Sequence, residues 1–177
     1  MKTMKQFGLM LTLVMATLLS SCSSDDNGGG GGTAGAGTIK AKVNGSWVTT
    51  PELTTAASQS MNFLHIQGTA GDVSSKSFSI NIIAFDGVGT YDIGGGSSGL
   101  GAANATYNET TVNISNPLAS EYSNWNAPYE GGDKVGEITV TEITETNVKG
   151  TFFFSAKNTD DNSMKQITEG SFNIPLE

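Results

Sequence analysis

One cysteine, one histidine and no arginine stand in a chain of 177 residues, and these scarcities decide most of the chemistry open to it. Any serine–histidine–acid triad or imidazole-bound metal has to use His65. That residue sits between Leu64 and Ile66, on the alternate face with Phe63 and Gln67, and reads as a strand histidine. The lack of arginine removes bidentate clamps for phosphate or carboxylate groups. Gly94-Gly95-Gly96-Ser97-Ser98-Gly99 has the spacing of a dinucleotide-binding turn, but that turn must open a helix inside a βαβ unit. Ala103-Asn104-Ala105-Thr106-Tyr107 follows instead, so the segment reads as a loop.

Asp160-Asp161-Asn162-Ser163 and Glu130-Gly131-Gly132-Asp133 offer oxygen ligands, but neither has the 12-residue pattern of a calcium loop. Turn chemistry accounts for Asp, Asn and Gly at both places, and neither a metal nor another cofactor is expected. Paired carboxylates can hydrolyse glycosides when they face each other ~5–9.5 Å apart. Seventeen acids supply many pairs and no means of choosing one. The expectation is a protein that is not an enzyme but a binding or envelope structural module, with a carboxylate-based hydrolase as an alternative. A barrel carrying a small apolar ligand is a second alternative.

The best site in the sequence is Glu121-Tyr122-Ser123-Asn124-Trp125-Asn126-Ala127-Pro128-Tyr129-Glu130, read as a connection between strands. Tyr122, Asn124, Trp125 and Tyr129 are the candidate ligand-binding residues. Exposed rings beside amide and carboxylate groups make a stacking platform for a glycan or a peptide, which stay equally open. The competing reading has the rings capping the end of a β-domain.

Cys22 ends the apolar run Phe7–Leu19, which follows Lys2 and Lys5. A run of 13 residues is too short for a span, which takes about 20. A basic start, short apolar stretch and small-residue exit make a secretory signal over residues 1–21. Leu19-Ser20-Ser21-Cys22 looks like a bacterial lipobox. That resemblance implies cleavage before Cys22 and acylation of its thiol and amine, so the partner is a membrane, held through lipid on Cys22. Residues 22–37, rich in Gly, Ser and Asp, read as a tether with an average span of ~20 Å. The acidic Ser24-Asp25-Asp26 just after the cysteine resembles the surface-export signal of Bacteroidota lipoproteins. It implies an outer-membrane address facing the exterior.

The mature chain would keep seven lysines against 17 acids. That balance excludes a nucleic-acid partner, which calls for a basic face. A single cysteine excludes internal disulfides and cysteine-rich zinc sites.

Residues 38–177 alternate with a period of two. Ile39, Ala41 and Val43 alternate with Lys40 and Lys42, and Asn44-Gly45 supplies a hairpin turn into Trp47-Val48-Thr49. Further strands are expected over 63–67, 77–82, 90–93, 103–107, 111–115, 137–143, 148–157 and 165–174. Nine or ten antiparallel strands of this kind make an all-β sandwich or closed barrel. The expected core is Trp47, Leu64, Ile66, Phe78, Ile80, Phe152, Phe154 and Phe172. In Gly150-Thr151-Phe152 and Gly170-Ser171-Phe172, each glycine stands two residues before a phenylalanine on one strand face. Each is expected to leave room for a large ring from a neighbouring strand.

With Gly45-Ser46-Trp47, Gly89-Thr90-Tyr91-Asp92-Ile93, Gly136-Glu137-Ile138-Thr139-Val140-Thr141, Val148–Phe154 and Ile167–Phe172, the layout resembles the DUF6252-like group of uncharacterised Bacteroidota lipoproteins. The likeness covers most of the mature chain and is sharpest over roughly its last 45 residues. It implies a β-fold and an envelope location and brings no active site. In such a protein the Asn-x-Ser/Thr triplets at Asn104, Asn108 and Asn113 carry no weight as glycosylation acceptors.

Overall fold

The structure, a computed structural model, describes residues 32–96, 101–130 and 132–177. The signal segment, Cys22, the tether before residue 32, part of the glycine loop and Gly131 lie outside the described residues.

The described chain is all-β. Its strands are β1 (Thr38–Val43), β2 (Ser46–Thr49), β3 (Thr55–Ser60), β4 (Phe63–Gly71), β5 (Ser74–Ile82), β6 (Gly89–Ile93), β7 (Ala103–Thr111), β8 (Glu121–Ala127), β9 (Gly136–Ile143), β10 (Asn147–Lys157) and β11 (Met164–Pro175). Single 3₁₀ turns at Glu52–Thr54 and Pro117–Ala119 lead into β3 and β8. All eleven strands join one antiparallel sheet with the order β2-β1-β11-β10-β8-β7-β5-β4-β3. The sheet forks at β10. Residues Val148–Phe154 pair with β9, which carries β6 on its far side, whereas Lys157 pairs with Asn126 of β8. The sheet curls into a half-barrel until Ala57 of β3 bridges Leu176, with the Glu177 N–H donating to the Ala57 carbonyl at 3.0 Å.

The inner face is one continuous apolar cluster including Leu64, Ile66, Phe78, Tyr107, Phe152, Phe154 and Phe172. Phe78 of β5 meets Phe152 of β10 edge-on at 6.1 Å between centroids, tying the two arms of the curl together. Rings therefore fill the space that a carrier barrel would keep open for an apolar ligand.

The paired glycines behave as their spacing predicts. Gly150 lies opposite Phe172 and Gly170 opposite Phe152 across β10 and β11. A Cβ on Gly150 would sit 2.4 Å from the Phe172 ring, and one on Gly170 would sit 2.6 Å from the Phe152 ring. Each ring thus lies over the glycine of its cross-strand partner. The Asn44-Gly45 turn also forms as expected, with φ of 47° and 84°.

Three expectations are corrected and one strand is new. Trp47 is half-buried outside the core. It pairs with Lys42 on the outer face, where Lys40 and Lys42 lie 4.8 and 5.0 Å from its ring centre; Val48 faces inward in its place. The run 111–115 is not a strand, because β7 ends at Thr111 and an exposed connection follows. β3, unanticipated, has only Ala57 buried. Residues 34–37 are not free tether: Ala34 is buried with its N–H on Ser171 Oγ at 2.8 Å, and the Gly37 N–H donates to the Asn173 carbonyl at 2.7 Å.

Candidate binding surface

The Tyr122–Tyr129 segment is mostly strand β8 rather than a connection, and strand alternation divides its candidates between the two faces of the sheet. Trp125 points inward and is only 6% exposed. Its ring packs on Tyr107 at 5.9 Å between centroids, its Nε1–H donates to Ser163 Oγ at 2.9 Å, and Lys165 Nζ lies 4.4 Å from its ring centre. As a ligand contact Trp125 is therefore corrected: it is a core ring. Tyr122 and Asn124 point outward, and Tyr129, beyond the strand, lines a pocket.

Charge is confined beside Trp125. The Tyr107 hydroxyl and Lys165 Nζ both donate to Glu109 Oε1, at 2.8 and 2.9 Å. Burial by itself would raise the Glu109 carboxyl; the hydrogen bonds from Lys165 and Tyr107 outweigh it and hold the carboxyl below its ordinary range. Burial, and then the Glu109 carboxylate, push the Tyr107 hydroxyl up.

Outside the core, the faces of β4, β5, β7 and β8 carry amides and hydroxyls in register. His65 Nδ1 lies 2.7 Å from Asn81 Oδ1, and Asn81 Nδ2 donates to Asn104 Oδ1 at 2.8 Å. Thr106 Oγ1 donates to Asn126 Oδ1 at 3.1 Å, and Asn126 Nδ2 bonds Asn124 Oδ1. Asn108 Oδ1 accepts from both Asn124 Nδ2 and the Tyr122 hydroxyl, the latter at 2.9 Å. The sole imidazole is thus absorbed into this polar face, with Nε2 3.3 Å from Gln67 Oε1 and its ring stacked on Phe63.

At the Asn126 end of this face lies a pocket of about 240 Å3, lined by Asn126, Pro128, Tyr129, Glu130, Lys157, Thr159 and Asn162. Three segments meet there because Lys157, the last residue of β10, pairs with Asn126, and the β10–β11 connection folds back beside them. That connection is held by its own turn chemistry. The Asp160 N–H donates to Asn158 Oδ1 and the Ser163 N–H to Asp161 Oδ1, each at 2.8 Å, and Asn162 takes φ of 61°.

Residues 36–175 match the model of a family described as a domain of unknown function, DUF6252. The chain belongs to that family. No curated protein and no solved structure matches it. The match takes in every strand of the half-barrel, so the amide face and the Tyr129 pocket both lie within the DUF6252 domain.

Of the four ligand-binding candidates, the DUF6252 domain sets Tyr122 and Asn124 on the amide face and Tyr129 in the adjoining pocket. Asn81, Asn104, Asn108, Asn126 and Lys157 were missed as parts of the same surface. The signal for the amides was present in Asn104-x-Thr106-x-Asn108 and Asn124-x-Asn126, polar side chains two apart that share one strand face. Lys157 had no such signal, since its neighbours come from other segments.

Proposed function

We propose that the chain is a lipid-anchored, outward-facing protein of the outer membrane whose half-barrel is a non-enzymatic binding module, and that the amide face with the Tyr129 pocket contacts a glycan. The carrying observation is the joining of an aligned amide and hydroxyl face to an aromatic-walled pocket through Asn126, which belongs to both. Sugars present hydroxyls that both donate and accept, and apolar ring faces that pack on aromatic side chains. Amides supply donors and acceptors together, and Tyr129 supplies the flat apolar wall. A peptide would instead pair along a strand edge, whereas the residues named here lie on the face of the sheet.

The non-enzymatic reading draws support from how the acids are used. The groove on the outer faces of β9–β11 contains Glu137 and Glu169. Lys134 binds the first at 2.8 Å and Lys42 the second at 2.7 Å.

The test is a glycan array probed with the purified full-length chain in detergent, beside a Tyr129→Ala/Tyr122→Ala double variant. Array signal is expected for the unaltered chain, falling at least ~10-fold in the variant at an unchanged melting temperature. Equal signal from both, or none from either, would remove the glycan reading.

A further inference from the structure

We infer that the Tyr129 pocket selects a sugar ring bearing one negative charge, with the Lys157 ammonium as its counter-ion. This rests on the glycan reading and adds the class of sugar. The argument begins with how the other lysines are used. Lys42, Lys134, Lys149 and Lys165 each hold a carboxylate at 2.7–2.9 Å. Lys40 lies over Trp47, and Lys76 sits opposite Glu109 across β5 and β7, close enough to lower its carboxyl. Lys157, among the described residues, has no side-chain ion pair, hydrogen bond or ring contact and, unlike Lys76, no carboxylate opposite it across the sheet, in a chain with 17 acids.

Its position makes that vacancy chemically specific. Lys157 is half-buried and lines the pocket together with Tyr129, Pro128 and three neutral polar side chains, Asn126, Thr159 and Asn162. An ammonium in the pocket lining gains from an anion that accepts its hydrogen bonds. About 240 Å3 is below the ~300–1,000 Å3 of pockets for drug-sized ligands, and suits one ring. One cation, no arginine and a single exposed acid, Glu130, in the lining favour a singly charged group over a doubly charged phosphate. A uronate carboxylate and a sulfate ester both supply that charge on a sugar ring. Tyr129 and Pro128 would face the ring's C–H surface while the amides and Thr159 take its hydroxyls.

The decisive experiment pairs acidic oligosaccharides with neutral counterparts of the same linkage. Uronate-containing oligomers are compared before and after reduction of the carboxyl to the alcohol, and sulfated oligomers before and after desulfation. Titration calorimetry uses the full-length chain in detergent at low and high salt. The acidic form is expected to bind roughly 10-fold or more tightly than its neutral counterpart, a margin set by one charge-assisted hydrogen bond. That margin should shrink with salt, vanish in Lys157→Met, and return in Lys157→Arg, with all three proteins melting alike. Preference for only the uronate pair or only the sulfated pair identifies the source of the charge and supports the inference. Equal binding of acidic and neutral forms would overturn it while leaving the glycan reading standing. An acid preference unchanged in Lys157→Met would overturn the assignment to this pocket. No binding of any oligomer would remove the inference together with the glycan reading.

Discussion

Replacing Gly150 by Ala puts one methyl group into the best-defined steric relation in the fold. The new Cβ would lie 2.4 Å from Cζ of Phe172 and 2.2 Å from the Thr139 carbonyl oxygen. Unstrained carbon contacts sit near ~3.5–4 Å, so ring and backbone must each retreat by about 1 Å. Phe172 is only 2% exposed and stacks on Phe152 at 6.4 Å between centroids, so it has no empty space to enter. Overpacking of this kind costs about 1–3 kcal/mol. In a domain of this size that lowers the melting temperature by about 2–12 °C, at ~2–4 °C per kcal/mol. Gly35→Ala is the control: its Cβ meets nothing nearer than Thr38 Oγ1 at 3.8 Å, and it should melt like the unaltered chain. A double-mutant cycle then isolates the ring. In an F172L background the penalty of Gly150→Ala should fall by about 1 kcal/mol, the remainder belonging to the Thr139 carbonyl. Thermal melts with urea titrations supply all four corners. A Gly150→Ala protein that melts within the error of the unaltered chain, or a cycle with no coupling, would refute the seating of Phe172 over Gly150.

Two further predictions concern the region beside β8. Trp125→Ala should destabilise the chain by about 3–5 kcal/mol in urea titrations, as removal of a buried ring does; a loss below about 1 kcal/mol would mean that the ring does not sit in the core. The Glu109 carboxyl is held below its ordinary range in the folded chain. Its contribution to stability is therefore present above the unfolded value of ~4.3 and is lost as pH falls through the lower folded value. Glu109→Gln should flatten that acid limb of the stability–pH curve, and an unchanged limb would show that Lys165 and Tyr107 do not lower the carboxyl.

The sequence made strands legible wherever apolar and polar residues alternate strictly, as in Ile39–Val43 and Phe78–Ile82. It failed where burial is slight or rings mislead. β3 buries a single alanine, so its period-two signal is nearly silent. β8 was hidden because Tyr122, Trp125 and Tyr129 resemble an aromatic connection, and only the pairing with β7 decides that Trp125 faces inward and Asn124 outward. Curvature and closure were illegible for a related reason. They depend on pairs such as Thr38 with Asn173 and Ala57 with Leu176, set by long-range packing rather than by local pattern. The Gly–Phe motif was readable because its two copies repeat the same spacing, and only a close approach between large and absent side chains explains both.

The same alternation makes the proposed function separable from the fold. On β8 the inward residues Trp125 and Ala127 are buried, whereas the outward Tyr122, Asn124 and Asn126 bond chiefly to one another and to neighbouring amides. Their side chains are exposed or half-buried, so replacing them removes little apolar burial and leaves water free to satisfy their partners. Lys157 is cheaper still to replace, because it holds no carboxylate whose charge would be left unpaired. A surface that contributes this little to folding energy can vary in sequence without loss of the half-barrel. Substitutions there therefore report on binding, and those at Trp125, Gly150 or Phe172 report on the scaffold.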